Sequence, residues 1–156
     1  ETKDQKVEFK SWHGDSHWIA DDKSHDWKSN ATTFNSIIAV LSDYFNMEVK
    51  ATRLNWYKDN TEWKPYHHDA AAVKQDKAST QDFTVSVSFG ATRDVAFENA
   101  ETDTKLSFEI PDCCVYAFGK KVNIDWKHGI PPVKAGEWGD EGTSRISIIA
   151  WGKLRD

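Results

Sequence analysis

The chain has 156 residues and a formal charge of −5, with a sequence pI of about 5.7, enough chain for one domain and one core. The negative balance excludes a global basic field that would gather nucleic-acid backbones or anionic membranes, and the adjacent Cys113 and Cys114 exclude a disulfide framework. No secretory hydrophobic region and no apolar run long enough to span a bilayer is found, so a chain acting off the membrane and inside the cell, in cytoplasm or nucleus, is expected.

The first thirty residues are polar yet carry Trp12, Trp18 and Trp27 with His13, His17 and His25. No apolar period emerges there, which predicts loops and at most a short strand. Over 33–45, Phe34, Ile37, Ile38, Leu41, Tyr44 and Phe45 recur at helical spacing, and Thr32 or Thr33 can cap the start. An amphipathic helix packed on the outside of a sheet is predicted. The period then changes to two. Residues 49–57 read as a strand, and Phe83-Thr-Val-Ser-Val-Ser-Phe89 alternates apolar with polar. Further strands are predicted over 93–98, 105–110, 113–118 and 145–151. Turn signals separate them at Gly90, Pro111-Asp112, Gly119, Gly129 to Pro132 and Gly136 to Gly142. The polar stretches 70–80 and 133–144 read as loops beside the mouth of the sheet. Short strands after one early helix predict a mainly β sandwich or jelly roll. It forms one domain over 1–156, with 1–50 a lid and helix extension and 51–152 the core, and a monomer is expected.

His67-His68-Asp69, with His128 far downstream, carries the chemistry. Read as His67-x-Asp69…His128, it offers two imidazoles and one carboxylate, the facial set that holds non-haem Fe(II) and leaves positions open for a co-substrate and dioxygen. On an extended strand His67 and Asp69 share a face while His68 points away. His128 lies in Trp126-Lys-His-Gly-Ile-Pro-Pro132, a strand end running into a turn. A single such histidine is more often packing than ligand, so the weight rests on the set. Arg145, Ser147, Ile149 and Trp151 share one face of the last strand. An arginine aimed into a β-barrel is costly unless paired, and a ligand carboxylate gripped by its fork removes that cost. Asn55 and Tyr57 also share a face and can donate hydrogen bonds to the same anion. Taken singly, Asn55 reads more readily as a turn residue and Tyr57 as a core aromatic.

In order and spacing, Asn55-Trp-Tyr57, His67-His-Asp69, Ser-Val-Ser-Phe-Gly-Ala-Thr-Arg93-Asp94, Trp126-Lys-His128-Gly-Ile-Pro131 and Arg145-Ile-Ser147 resemble the AlkB-like Fe(II)/2-oxoglutarate dioxygenases. The resemblance covers residues 52 to 152. It implies a double-stranded β-helix, with iron on His67, Asp69 and His128. Arg145 would grip the distal carboxylate of 2-oxoglutarate, with Asn55, Tyr57 and Ser147 completing that pocket. It further implies hydroxylation of a C–H bond by O₂ and 2-oxoglutarate; on an N-methyl group the product loses formaldehyde, which is demethylation. The sequence departs from the family at three places. Trp151 stands where a second arginine is usual, Ala70-Ala71-Ala72 follow Asp69 where nucleobase enzymes commonly have an acid, and the N-terminal part does not align with their lid.

For the prime substrate, an N-alkylated nucleobase in DNA or RNA is the expectation carried by the family analogy. Hydroxylation of a protein side chain or small metabolite is the alternative that the acidic pI, the three alanines and Trp151 favour. Trp12 or Trp18 would stack on a flipped base, though covering the sheet is the commoner fate of such aromatics. Arg93, near a strand end, is expected to contact substrate or to be solvated, and Trp151 to border the substrate. The Cys113-Cys114 pair reads as packing plus one exposed thiol.

Overall fold

The computed structural model describes residues 17–22, 27–59, 61–133 and 144–156. Trp12, His13 and His25, and nearly all of the 133–144 loop, lie outside these residues.

The helical stretch is α1, Thr32–Tyr44. It starts without the expected threonine cap: Ala31 occupies the cap position, no side chain caps it, and Thr32 is the first helical residue. A 3₁₀ turn over Trp27–Asn30 leads into it. The strands are β1 Trp18–Asp21, β2 Met47–Tyr57, β3 Lys64–His67, β4 Phe83–Gly90, β5 Arg93–Asn99, β6 Lys105–Ile110, β7 Val115–Gly119, β8 Trp126–Ile130 and β9 Arg145–Leu154. They form two sheets, β1-β2-β9-β4-β7 and β3-β8-β5-β6, antiparallel throughout. This is the double-stranded β-helix, or jelly roll.

Three further helices stand where loops or turns were expected. Stretch 70–80 folds into two single turns, α2 Ala70–Val73 and α3 Gln75–Ala78, and α4 Lys120–Asp125 follows β7. Gly119 opens α4, and Gly129 lies inside β8 rather than in a turn. Strand β7 begins two residues late because Cys113 takes a left-handed backbone, φ 58°, in the turn before it.

The larger sheet has two unlike faces. Outward, Val85, Val87, Ile148, Ala150 and Met47 pack with Phe34 and Leu41 of α1 into one buried cluster. Inward, the same strands present Thr84, Ser86, Ser88, Arg145 and Ser147, all buried. The alternation read in β4 therefore sends its apolar residues to the helix and its polar ones between the sheets. A second cluster of Tyr57, Val95, Ile110 and Ile130 fills the space between the sheets below the polar region.

Strands β3 and β8 approach closely because residue 129 is glycine. A Cβ there would lie 2.7 Å from the Lys64 carbonyl oxygen and 3.0 Å from the Pro65 carbonyl carbon, both backbone atoms. Gly129→Ala should therefore force β3 away from β8 and lower the unfolding free energy by about 1–3 kcal/mol, the usual cost of overpacking. Urea titration of both proteins measures it.

Candidate metal and co-substrate site

Pairing of β3 with β8 places His67 directly opposite His128. Asp69 is not on the strand, since β3 ends at His67. The chain nevertheless stays extended at Asp69, φ −65° and ψ 152°, where it caps α2. The same-face geometry thus outlasts the ladder by two residues. His128 sits in the middle of β8 rather than at its end. The His67 Nε2 and His128 Nε2 atoms lie 3.9 and 3.7 Å from Asp69 Oδ1. One ligand atom from each of the three residues falls within 4.8 Å of the others. These separations are too long for hydrogen bonds, and a shared cation fits between them.

Two of the three donors are oriented from behind, whereas His128 Nδ1 is buried with no hydrogen-bond partner among the described residues. His67 Nδ1 donates to the Pro65 carbonyl at 3.0 Å, which leaves Nε2 with its lone pair toward the other two. Thr84 Oγ1 donates to Asp69 Oδ2 at 2.9 Å, so Oδ1 is the oxygen left to a metal. Asn123 Oδ1 accepts from the Asp69 backbone N–H at 2.8 Å. His68 points away, as expected, with its Nδ1 2.6 Å from the Asn123 carbonyl oxygen.

Burial, reinforced by the His128 and Lys64 charges, pushes His67 down to about 3. Burial likewise lowers His128. For Asp69 burial acts upward, but the His128 and His67 imidazoles, with Trp151 and Thr84, outweigh it and hold the carboxyl below its ordinary value. Two neutral imidazoles and one carboxylate are the protonation states that a divalent metal requires.

The cavity beside this triad is lined by Arg53, Asn55, Tyr57, Lys64, Thr84, Tyr116, Ser147, Ile149 and Trp151, among others. Asn55, opposite Ser147, and Tyr57, opposite Arg145, lie along its inner wall, with Arg145 itself behind the lining residues. Arg145 is 1% exposed and lies over the Tyr57 ring, 5.4 Å from its centroid. Its Nη2 donates to Ser88 Oγ at 2.6 Å. Its Nε and Nη1 are buried with no hydrogen-bond partner among the described residues. A buried guanidinium with two idle donors and, among the described residues, no carboxylate bonded to it is what an anionic ligand would complete.

Two substrate candidates are placed elsewhere. Trp18 pairs with Trp56, whose parity is opposite to that of the cavity residues Asn55 and Tyr57. It therefore lies on the far face of the sheet, where the Lys58 ammonium sits 3.7 Å from its ring centroid. Trp27 packs edge-on to Phe34 at 4.7 Å. These two tryptophans cover the sheet. Arg93 is 2% exposed, so it is not solvated. Its Nη2 donates to the Glu62 and Pro131 carbonyls, 2.9 Å each, tying the entry of β3 to the exit of β8. Trp151 does border the cavity. Cys113 is an exposed free thiol and Cys114 is partly buried.

Arg53, Lys64, Thr84, Tyr116 and Asn123 were not singled out from sequence. Arg53 shared the strand parity of Asn55 and Tyr57, and Thr84 that of the buried serines of β4. Those were the usable signals.

A model of the 2OG-Fe(II) oxygenase superfamily matches residues 5–150. No curated protein matches the chain in sequence. Among solved structures, OsALKBH1 is 14% identical with a TM-score of 0.53, over 81% of this chain and 64% of that one. A Pseudomonas putida prolyl-4-hydroxylase is 10% identical with a TM-score of 0.52, over 95% and 78%. CapF, solved with the inhibitor 3-isopropenyl-tropolone, is 10% identical with a TM-score of 0.51, over 97% and 31%. At these identities the likeness is one of fold, and the chain spans under two thirds of OsALKBH1.

Thr84→Val keeps the shape of the side chain and removes its bond to Asp69. Affinity for Mn(II), measured by calorimetry, should fall about ten-fold, the usual cost of losing an outer-shell partner of a metal ligand.

Proposed function

This chain belongs to the 2OG-Fe(II) oxygenase superfamily, and from that premise we propose that His67, Asp69 and His128 hold its Fe(II) while Arg145 anchors its 2-oxoglutarate. The protein is a dioxygenase whose cofactors are Fe(II), 2-oxoglutarate and O₂. The observation that carries the site assignment is the convergence of the three ligands beside a buried arginine with two donors that have no partner among the described residues. Iron with 2-oxoglutarate and O₂ supplies the oxidising power, and succinate and CO₂ are the by-products.

The protein residues then have separable tasks. His67, Asp69 and His128 offer three donors from one side and leave the other side to co-substrate and O₂. Arg145 forks the distal carboxylate, with Tyr57, Asn55 and Ser147 along the same wall. Burial of this end excludes water, which would otherwise screen the ion pair. Thr84 and Asn123 hold Asp69 in register with the two histidines.

For the prime substrate, the first reading is an N-methylated nucleobase in DNA or RNA, oxidised at the methyl carbon and released with formaldehyde. Lys64, a cation at the cavity on the β3 side, supports it through its attraction for a phosphate backbone. The second reading is hydroxylation of a protein side chain or small metabolite. It is supported by the net charge of −5 and by Trp18 facing away from the cavity.

Turnover of 2-oxoglutarate with Fe(II) against methylated oligonucleotides, peptides and metabolites separates the two. Formaldehyde from methylated oligonucleotides, with binding that weakens steeply in salt, is the expected result. Its absence alongside turnover on a peptide or metabolite selects the second reading. In either case Asp69→Ala should abolish turnover. Arg145→Lys should weaken 2-oxoglutarate binding by roughly ten-fold or more, because a point donor replaces a fork. Full activity of Asp69→Ala removes the metal assignment.

A further inference from the structure

The inner face of the larger sheet carries a second arginine at the cavity. Arg53, Asn55 and Tyr57 alternate along β2 and all three line the cavity. In the β2–β9 register Tyr57 stands opposite Arg145, whereas Arg53 stands opposite Ile149, four residues farther along. Four residues of strand are about 13 Å. Arg53 thus lines the cavity directly, whereas Arg145 stacks on Tyr57 and stands just behind the lining at the opposite end. Arg145 lies at the Tyr57 end, and Arg53 at the end that holds Trp151 and the triad.

Arg53 is held in place without being satisfied. Its guanidinium stacks on the Trp151 indole, 5.3 Å from the ring centroid. Its ion pair with Asp21 is long, 3.9 Å from Nη2 to Oδ2. Its Nε is buried and has no hydrogen-bond partner among the described residues. Stacking fixes the plane of the fork and the distant Asp21 leaves donors over, an arrangement suited to a carboxylate. Lys64 is the competing cation, entering from the opposite sheet. Its ammonium is a point charge and lacks the planar fork.

We propose that Arg53 binds the second carboxylate of the co-substrate, the one next to the keto group, so that the cavity recognises a 2-oxo dicarboxylate by one guanidinium at each end. The inference rests on the assignment of Arg145 to the distal carboxylate. It adds a residue that selects for the second charge and fixes the keto end beside the triad.

The test uses half-ligands on the metal-free protein and on the Zn(II)-loaded protein, with affinity from calorimetry and thermal shift as a second readout. Levulinate keeps only the distal carboxylate, and 2-oxopentanoate keeps only the one beside the keto group. Arg53→Met should weaken 2-oxopentanoate and 2-oxoglutarate by roughly ten- to hundred-fold, the range for a lost charged hydrogen bond, and leave levulinate unchanged. Arg145→Met should show the reverse preference between the half-ligands. Arg53→Lys should recover part of the loss. Asp21→Asn, which removes the long ion pair but keeps the fork, should bind 2-oxopentanoate at least as well as the unaltered protein. The inference is overturned if Arg53→Met leaves 2-oxopentanoate binding intact, if it weakens both half-ligands equally, or if the loss follows Lys64→Met instead. Unaltered protein that binds neither half-ligand, with or without Zn(II), also overturns it. Loss of levulinate in Arg145→Met with no effect of Arg53→Met sinks this inference alone, whereas indifference of 2-oxoglutarate binding to Arg145→Met sinks the reading beneath it.

Discussion

The pairing of His67 with His128 across β3 and β8 is the constraint on which the rest of the site depends. Two strands of the smaller sheet must come close enough for the imidazole centroids to lie 4.4 Å apart. Gly129 permits that approach because any side chain would run into the β3 backbone. Arg93 reinforces it from the far end, where one guanidinium nitrogen binds a carbonyl before β3 and another after β8. Asp69 then joins the pair from an extended segment fixed by Asn123 and Thr84. The carboxylate is thus supplied by a turn of chain whose position two other elements dictate.

A second constraint follows from putting chemistry between two sheets. Such a space is normally apolar, yet here it holds buried arginines, serines and a threonine. The larger sheet meets the hydrophobic requirement on its other face, where α1 closes over Val85, Val87, Ile148 and Ala150. The helix therefore does more than cap the domain. It allows the inner face to be polar without leaving the sheet unanchored, since burying that outer layer is the main favourable term available to the sheet. The buried arginines are tolerable in the same framework, being stacked on Tyr57 and partly bonded, Arg145 to Ser88 and Arg93 to the Glu62 and Pro131 carbonyls.

Much of this was legible in the sequence because strands translate spacing into sidedness. His67 and Asp69 two apart, and Arg145 and Ser147 two apart, were enough to assign faces. Hydrophobic alternation in β4 gave a strand but not its orientation, because a period of two is the same whichever face is inside. The helices α2, α3 and α4 were missed for a different reason. Elements of four to six residues are too short to show a helical period and are set by what they pack on. Arg93 reads from sequence as a substrate contact or a solvated residue, since nothing local reveals that Glu62 and Pro131, far apart in sequence, present carbonyls to it. Trp18 misled in the opposite way: an aromatic in a segment without period resembles a lid, and only the register with Trp56 shows that it faces away from the cavity.

The most direct measurement is anomalous diffraction from crystals grown with Mn(II) and N-oxalylglycine, an unreactive stand-in for 2-oxoglutarate. One manganese peak should appear within roughly 2.0–2.3 Å of His67 Nε2, Asp69 Oδ1 and His128 Nε2, with the inhibitor running from the ion to Arg145. A peak on other residues, or an inhibitor whose distal carboxylate points away from Arg145, would contradict the account.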